Sequence, residues 1–279
     1  MGERVPAGVD ASRPSVARMY DYGLGGKDNF EIDRRVVARL QADMPESMGV
    51  PRINRAMHRR IVRHLAGEAG IRQFIDLGSG LPTRDNTHQV AERFGGEARV
   101  VYVEHDPMVV VHANALLGGD RVGVVPGDLR DVKAVLEHEG TRRLIDFSEP
   151  VGVLFVAILH QFSDDEDPEG IVRAYMDAVP SGSHLVVSHF HRGAPGAEAI
   201  ERRLLETVGS GYHRTMEQIQ RYFLGMEMAD PGLVYASRWR PDPAFDREVF
   251  PEAAAPLNGA DGEPSPTDRL IVGGVARKP

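Results

Sequence analysis

The stretch Phe74-Ile75-Asp76-Leu77-Gly78-Ser79-Gly80-Leu81-Pro82 decides how this chain folds. An apolar run reaches the carboxylate Asp76 and then a turn with two glycines, and residues 83–94 are compatible with a helix. A doubly wound sheet uses a strand, a Gly-x-Gly turn and a helix to bring its backbone against a nucleotide. Glycine leaves room for a ligand close to the chain, and the first amides of a helix attract an anion. The stretch therefore predicts a nucleotide-type site around Gly78 and Gly80.

Strand and helix patterns alternate after this stretch. Besides the strand at Phe74, six apolar or β-branched runs predict strands, at residues 99–104, 122–127, 151–159, 183–190, 233–239 and 270–276. Helices are predicted at residues 83–94, 107–117, 132–139, 167–179, 197–208 and 215–223. This alternation predicts an α/β fold with a seven-stranded, mostly parallel sheet and helices on both faces. Residues 241–266, rich in Pro, Gly and Ala, predict a surface loop.

The chain before Phe74 carries no strand pattern. Residues 1–14 indicate a loosely held tail, and helices are predicted at residues 15–22, 33–44 and 52–68, the first running into a glycine-rich turn. We therefore expect residues 1–66 to form a tail and a helical cap or lid, and residues 67–279 to form the nucleotide-type domain. The basic residues between positions 52 and 63 alternate with apolar ones at helical spacing, which favours a solvated helix face.

Composition excludes several classes of function. The chain has 33 Lys and Arg against 41 Asp and Glu, a formal charge of −8, which argues against a nucleic-acid partner. It contains no cysteine, so neither disulfides nor thiolate chemistry is available. No apolar run is long enough to cross a bilayer, and the first residues lack the apolar region of a signal peptide. We therefore expect a cytoplasmic protein with no membrane partner. The residues indicate no particular oligomeric state.

Acidic residues fall at the ends of three successive predicted strands, at Asp76, Glu104 and Asp128. A carboxylate at the end of the second strand can accept hydrogen bonds from both hydroxyls of a ribose. One after the third strand can accept a hydrogen bond from an adenine amino group. Each residue alone could be a helix cap or part of a solvated turn. Three at successive strand ends after a glycine turn indicate a nucleoside site.

The same segments carry a family resemblance. The order of Asp76-Leu-Gly-Ser-Gly80, Val103-Glu-His-Asp-Pro107 and Gly127-Asp-Leu129 resembles the Rossmann-like, class I S-adenosylmethionine-dependent methyltransferases. A more particular resemblance is to an actinobacterial group of this class whose methyl acceptor is not settled. It rests on residues 17–29, 78–83, 231–234 and 239–241, with Asn86 and His88. The resemblance implies S-adenosylmethionine as the cofactor and leaves the acceptor open.

The resemblance also assigns roles to individual residues. It implies that Gly78 and Gly80 lie against the methionine part of the cofactor, with Asp76 toward its amino group. It places Glu104 at the ribose hydroxyls and His105 beside the adenine. Further cofactor contacts are implied at Ser79, Leu81, Asp128, Leu129 and Ala157.

A dinucleotide dehydrogenase is the competing interpretation of the glycine turn. The third glycine of that fingerprint would fall at Thr83, and Pro82 interrupts the entry to the helix. A closely packed pyrophosphate needs the third small residue, whereas the methionine part of S-adenosylmethionine carries no phosphate. The sequence therefore favours the methyltransferase.

His160, at the end of the fourth predicted strand, is the candidate general base. The run from Leu159 to Asp164 resembles plant-type O-methyltransferases, in which a histidine here removes the acceptor's hydroxyl proton. An imidazole titrates near neutral pH, which suits a base, although a histidine can also merely end a strand. His189 and His191 could share a metal, but no third ligand at a defined spacing supports this, so no metal is predicted and His189 is expected to face the substrate.

Tyr20, Tyr22 and Asn29 flank a glycine-rich loop before the sheet. Polar and aromatic groups on such loops often close over a ligand, so these three are candidates for a lid or substrate contact, with ordinary packing as the alternative. The sequence as a whole predicts methyl transfer to an oxygen or nitrogen of a small-molecule acceptor. The alternative is a non-catalytic protein that binds S-adenosylmethionine as a sensor or as a partner for another protein.

Overall fold

A computed structural model describes residues 10–116, 119–250 and 264–279, and is built on one central sheet. Its strands are β1 Gln73–Leu77, β2 Arg99–Glu104, β3 Val122–Pro126, β4 Gly152–Val156, β5 His184–Phe190, β6 Glu227–Met228, β7 Val234–Tyr235 and β8 Ile271–Arg277. They lie in the order β3-β2-β1-β4-β5-β8-β6, with β7 also paired to β8. The first five strands are mutually parallel and β8 runs antiparallel to β5. The predicted α/β fold with a mostly parallel sheet is confirmed.

The edge beyond β8 differs from the seven strands predicted. Two dipeptide strands share this edge, because β6 pairs with residues 276–277 and β7 with residues 272–273. The strand predicted at residues 233–239 is therefore wrong beyond Tyr235. The chain turns there into a short 3-10 helix, and the guanidinium of Arg60 donates hydrogen bonds at 2.9 Å to the carbonyls of Ala236 and Trp239. These bonds hold the backbone away from the sheet.

Helices cover both faces of the sheet. They are α1 Val16–Gly23, α2 Glu31–Asp43, α3 Gly49–Gly67, α4 Thr87–Gly95, α5 Pro107–Leu116, α6 Val132–Glu137, α7 Glu139–Leu144, α8 Pro168–Asp177, α9 Ala197–Val208, α10 Met216–Gln220, α11 Pro243–Arg247 and α12 Pro266–Arg269. Neighbouring strand residues point to opposite faces, so Phe74 joins one hydrophobic core and Ile75 the other. Ile53, Met57 and Ile61 of α3 lie in the same core as Phe74. Helix α3 therefore belongs to the helical layer that packs against this face of the sheet.

The basic residues of α3 are not a solvated face, contrary to the expectation from sequence. Arg59 and Arg60 are 0% and 2% exposed. Arg59 pairs with Asp85 at 2.6 Å, and Arg60 pairs with Asp246 of α11 at 2.5 Å. A buried guanidinium needs such partners. Their carboxylates lie up to 186 positions away along the chain, which is why the local pattern did not reveal the burial.

Two further boundaries differ from the sequence patterns. Helix α4 begins at Thr87 instead of residue 83, because Asp85 has a φ of 56° and Asn86 caps the helix with Gln89. The predicted loop at residues 241–266 contains α11, and its residues 251–263, like residues 1–9 of the predicted tail, lie outside the described part. The helix N-terminus is therefore set back from the glycine turn.

Candidate cofactor and acceptor site

A cavity of about 460 Å³ opens at the carboxyl ends of β1, β2 and β4, where the strand order reverses. Ligands bind at this point of open α/β sheets. All ten residues that the sequence analysis placed at the cofactor line this cavity, namely Asp76, Gly78, Ser79, Gly80, Leu81, Glu104, His105, Asp128, Leu129 and Ala157. Tyr20 of α1 lines it too. The fold thus gathers these residues from five separate segments around one space.

The glycine turn has the backbone that its sequence predicts. Gly78 and Gly80 have φ angles of 68° and 67°, in the left-handed region that favours glycine. A Cβ atom on Gly78 would stand 2.5 Å from Cγ1 of Ile158, whereas one on Gly80 would meet nothing within 4 Å. The amide of Gly78 donates to the carbonyl of Val103 at 2.9 Å, which fixes the turn to the end of β2. The backbone of Gly80 therefore borders the open space of the cavity with no side chain in between.

Glu104 is held in place by backbone amides. Its carboxylate accepts hydrogen bonds from the amides of Gly80 at 3.0 Å, His105 at 2.8 Å and Asp106 at 3.0 Å. Burial acts to raise the pKa of Glu104, but these bonds and the His105 side chain outweigh it and leave the pKa below its usual value. The result is an ionised, fixed acceptor in the cavity wall.

A buried hydrogen-bonded chain joins Asp76 to helix α3. The hydroxyl of Thr87 donates to Oδ2 of Asp76 at 2.6 Å and lies 2.9 Å from Nε2 of His58. Since a threonine hydroxyl has one proton, Nε2 of His58 must donate to it, and Nδ1 of His58 is left as an acceptor without a partner among the described residues. Burial raises the pKa of Asp76 to about 6, against the Thr87 hydrogen bond and the charge of Arg55.

Asp128 and Leu129 form the far wall of the cavity. Nε of Arg130 lies 2.9 Å from Oδ2 of Asp128, and its Nη1 lies 2.6 Å from Oε1 of Glu166. The hydrogen bond from Arg130 lowers the pKa of Asp128, which stays ionised. The guanidinium of Arg130 lies 5.7 Å from the ring centre of Phe162. A charged and aromatic rim therefore borders this end of the cavity.

A second cavity of about 100 Å³ adjoins the first, and His160 lines it. Six residues line both cavities, among them Tyr20, Ala157 and Gln161. His160 does not end β4; it sits in a 3-10 helix, Leu159–Gln161, and is 2% exposed. Burial, then the neighbouring His189, His213 and Arg214, lower the pKa of His160 well below its usual value. Its imidazole is therefore neutral near pH 7.

A hydrogen-bonded chain fixes the boundary between the cavities. The Tyr20 hydroxyl donates to the carbonyl of Pro51 at 3.1 Å and accepts from Nδ2 of Asn54 at 2.9 Å. Oδ1 of Asn54 accepts from the Ser188 hydroxyl at 2.6 Å, and that hydroxyl accepts from the amide of Ala157 at 2.9 Å. Ala157 has a φ of 55°, a strained value for alanine. Helix α1 and the end of β4 are thus held to one another.

Three residues that the sequence proposed for substrate or lid contact are not among the residues that line either cavity. Asn29 is buried and donates to Oδ2 of Asp21 at 3.0 Å. Tyr22 is 38% exposed. His189 is fully buried, with Nδ1 2.8 Å from the Phe190 carbonyl and Nε2 2.9 Å from Nη1 of Arg214. Both nitrogens of His189 are thereby occupied within the protein.

Other lining residues carried no recognised signal in the sequence. Arg55 and His58 line the first cavity, but their helix was interpreted as a solvated face. Gln161 and Phe162 also line it and directly follow His160. Their position beside His160 was a signal that could have identified them. In the described part of the chain, no group of three or more His, Cys, Asp or Glu residues could hold a metal ion, and no helix is long and apolar enough to cross a membrane.

The sheet order, the glycine turn and Glu104 define a Rossmann-like α/β protein with a nucleoside-type cofactor site. A family model described as S-adenosyl methyltransferase matches residues 2–279, and the chain belongs to this family. Its cofactor is S-adenosylmethionine. The open space at Gly80 and the fixed carboxylate of Glu104 fit this cofactor. No curated protein matches the chain.

Solved structures support the same conclusion. A candidate methyltransferase from Thermobifida fusca YX is 41% identical, with a TM-score of 0.88 and 98% of each chain covered. A DUF574 family protein from Streptomyces avermitilis MA-4680 is 33% identical, with a TM-score of 0.87 and 97% and 99% of the two chains covered. The plantazolicin methyltransferase BamL, in complex with a triazolic desmethylPZN analog and SAH, is 9% identical with a TM-score of 0.53 over 94% and 96% of the chains. The last of these shows the fold alone.

Proposed function

We propose that this protein transfers a methyl group from S-adenosylmethionine to an oxygen or nitrogen of a small-molecule acceptor. The observation that carries the proposal is the pair of adjoining cavities, which share Tyr20, Ala157 and Gln161. The larger cavity has the residues expected for the cofactor, and the smaller has space beside it for a second molecule. A protein that only sensed the cofactor would not need the second space.

In this proposal the chain's own residues hold the cofactor by its polar groups. Gly78 and Gly80 let the backbone approach its methionine part, and Asp76 accepts from its amino group. Glu104 accepts from the ribose hydroxyls, because its position is fixed by three amides and its charge is retained. Asp128 and Leu129 address the adenine, beside His105. Each of these groups lines the cavity.

When bound, S-adenosylmethionine supplies a methyl carbon that is already activated by its sulfonium. The protein's contribution is then alignment of the acceptor and exclusion of water. The remaining task is to take the proton of a hydroxyl or amine acceptor, and His160 is the candidate for it. A neutral imidazole beside the acceptor space can accept a proton, although burial makes its protonated form costly.

The segment before and including α1 is proposed to act as a lid. Pro14, Ser15, Val16 and Ala17 line the larger cavity, so this segment covers part of it. Arg18 of α1 pairs with Asp33 of α2 at 2.7 Å, and both side chains are buried. This ion pair fastens the proposed lid to α2.

The experiment that tests the function is a screen for S-adenosylhomocysteine release. Purified protein and S-adenosylmethionine are incubated with a panel of small hydroxylated and amine acceptors. Release that depends on the acceptor supports methyl transfer. Tight binding of both sulfur cofactors by calorimetry without release in any acceptor would favour a sensor, and absence of binding would defeat the assignment of the site.

A further inference from the structure

The second cavity is lined almost entirely by apolar groups. Helices α1, α2, α3 and α9 and the start of β8 contribute to it, with Val37, Ile200 and Leu204 among its walls. None of the described lining residues is an aspartate, glutamate, lysine or arginine. The larger cavity, by contrast, is lined by several ionised side chains. The two spaces therefore favour ligand parts of different chemistry.

Two residues in the wall of this cavity each carry a buried polar atom without a hydrogen-bond partner in the described part of the chain. The two atoms are Nδ1 of His160 and Oγ of Ser47. Leaving a buried polar atom unpaired destabilises the folded protein, and such atoms occur where a ligand or water completes the pairing. An apolar space with a few polar groups is the usual character of a small-molecule site.

We infer that the second cavity receives the apolar part of the methyl acceptor, and that the part of the acceptor inside this cavity carries no charge. The inference rests on the proposed function and adds the class of substrate to it. A carboxylated or cationic acceptor would lose hydration here without an ionised partner, which is expensive in an apolar environment. The atom to be methylated lies at the shared boundary formed by Tyr20, Ala157 and Gln161.

The volume limits the size of the group that enters. A cavity of about 150 Å³ accommodates benzene, and this one measures about 100 Å³. The cavity is therefore smaller than one that encloses a whole benzene ring, so it takes a short branched group or part of a phenyl ring, with the rest of the acceptor extending into the larger cavity. Small phenols and short branched alcohols or amines meet this description.

The test uses phenol as the probe and the full chain loaded with S-adenosylhomocysteine. We expect phenol to bind by calorimetry, and 4-hydroxybenzoate to bind at least tenfold more weakly. Ile200→Trp on α9 and Val37→Phe on α2 fill the cavity from two sides, and each is expected to weaken phenol binding at least tenfold. Both residues line the second cavity and not the larger one, so the affinity for S-adenosylhomocysteine should stay within twofold of wild type. A retained affinity would show that the variant is folded.

Arg202→Trp provides the matched control, because Arg202 is exposed on the same helix as Ile200. It should leave phenol binding unchanged. No phenol binding by the wild type, equal binding of 4-hydroxybenzoate, or unaltered phenol binding in both filled variants would overturn the inference. If the acceptor screen shows turnover only of acceptors that have no uncharged apolar group, the proposed function stands and this inference fails. Phenol binding without any turnover would leave the cavity assignment standing and count against methyl transfer.

Discussion

The hydroxyl of Ser15 donates a hydrogen bond to Oδ2 of Asp106 at 3.0 Å, joining the residue before α1 to the loop after β2. Both residues line the larger cavity. The bond spans 91 positions of the chain, so it closes the N-terminal segment over the carboxyl end of the sheet. We therefore expect this contact to slow the escape of a ligand from the cavity.

Ser15→Ala should therefore speed the release of S-adenosylhomocysteine. A hydrogen bond to a carboxylate contributes about 1–3 kcal/mol, so a variant that lacks it should release the ligand roughly 5- to 150-fold faster. Stopped-flow measurement of ligand release checks this. Ser12→Ala is the matched control, because the Ser12 hydroxyl bonds only to exposed Asp10 in the same segment. Equal rates for Ser15→Ala and the wild type would remove the lid role of this contact.

Glu104→Ala should weaken cofactor binding through the ribose. Loss of a charged acceptor for the two hydroxyls should cost about 1–3 kcal/mol, a weakening of roughly 5- to 150-fold. Calorimetry with adenosine and with 2′,3′-dideoxyadenosine separates this from general damage, since only adenosine should lose affinity. Glu97→Ala is the control, because Glu97 is exposed and contacts Arg121 at 3.2 Å. Equal losses for both nucleosides would contradict a ribose contact.

Asp76 should make cofactor affinity depend on pH. Its pKa of about 6 means that it becomes protonated as pH falls through 6, and a neutral carboxyl attracts an ammonium group less than a carboxylate does. Affinity for S-adenosylhomocysteine should therefore fall between pH 7 and pH 5. Calorimetry in buffers of different ionisation enthalpy should show proton release on binding near pH 6. Asp76→Asn should bind more weakly and without this dependence, and an unaltered pH profile in that variant would refute the role.

The strand ends could be predicted from sequence because strands and the turns that follow them depend on residues that are neighbours in the chain. Asp76, Glu104 and Asp128 each follow an apolar run, and parallel strands bring their carboxyl ends to one edge. The glycine turn likewise needs only its own two residues to show its conformation. The fold class, the glycine turn and the three acidic residues therefore followed from short segments, whereas the further cofactor contacts were implied by the family resemblance.

The second cavity could not be predicted in this way. Its walls come from α1, α2, α3, α9 and β8. The sequence of one element does not indicate where its apolar face leaves a gap against the others. The burial of Arg59 and Arg60 depends on Asp85 and Asp246, which are remote in sequence. His160 followed the end of an apolar run, but the chain turns into a 3-10 helix before it and buries the ring. These features depend on tertiary packing.

Two buried histidines should make the protein less stable in mild acid. Burial lowers the pKa of both His189 and His213 to about 3, while the unfolded chain protonates histidine near 6.5. Between these values the unfolded state binds more protons, so stability falls as pH is lowered from about 6.5. Each histidine contributes a slope of about 1.4 kcal/mol per pH unit. Urea unfolding at pH 7, 6 and 5 measures the effect.

His213→Phe isolates one of these contributions. Neither ring nitrogen of His213 has a partner among the described residues, and the ring packs 4.9 Å from that of Phe190. Phenylalanine should remove two unsatisfied polar atoms, so stability at pH 7 should be equal or higher. The pH slope should drop by about 1.4 kcal/mol per pH unit. His138→Asn, at an exposed position, is the control, and an unchanged slope in His213→Phe would show that His213 does not titrate on unfolding.

The role of His160 can be separated from that of the cofactor site, because His160 lines only the second cavity. His160→Ala should leave S-adenosylhomocysteine affinity nearly unchanged. If His160 takes the acceptor's proton, turnover should fall by roughly 10²- to 10⁴-fold. His160→Phe fills the space of the ring without a base and should be equally impaired, which separates proton transfer from simple loss of packing.

The pH profile gives His160 a second, independent readout. Because burial keeps its pKa well below the usual value, His160 is already unprotonated at pH 6. Titration of His160 should therefore not change the turnover of a hydroxylated acceptor between pH 6 and 8. Turnover should decline only in more acidic solution. An acceptor that is already anionic, or an amine neutral at the working pH, needs no base and should be methylated by His160→Ala at nearly the wild-type rate. Full activity of His160→Ala toward a neutral alcohol, scored by S-adenosylhomocysteine release, would remove His160 from the mechanism and leave the methyltransferase assignment intact.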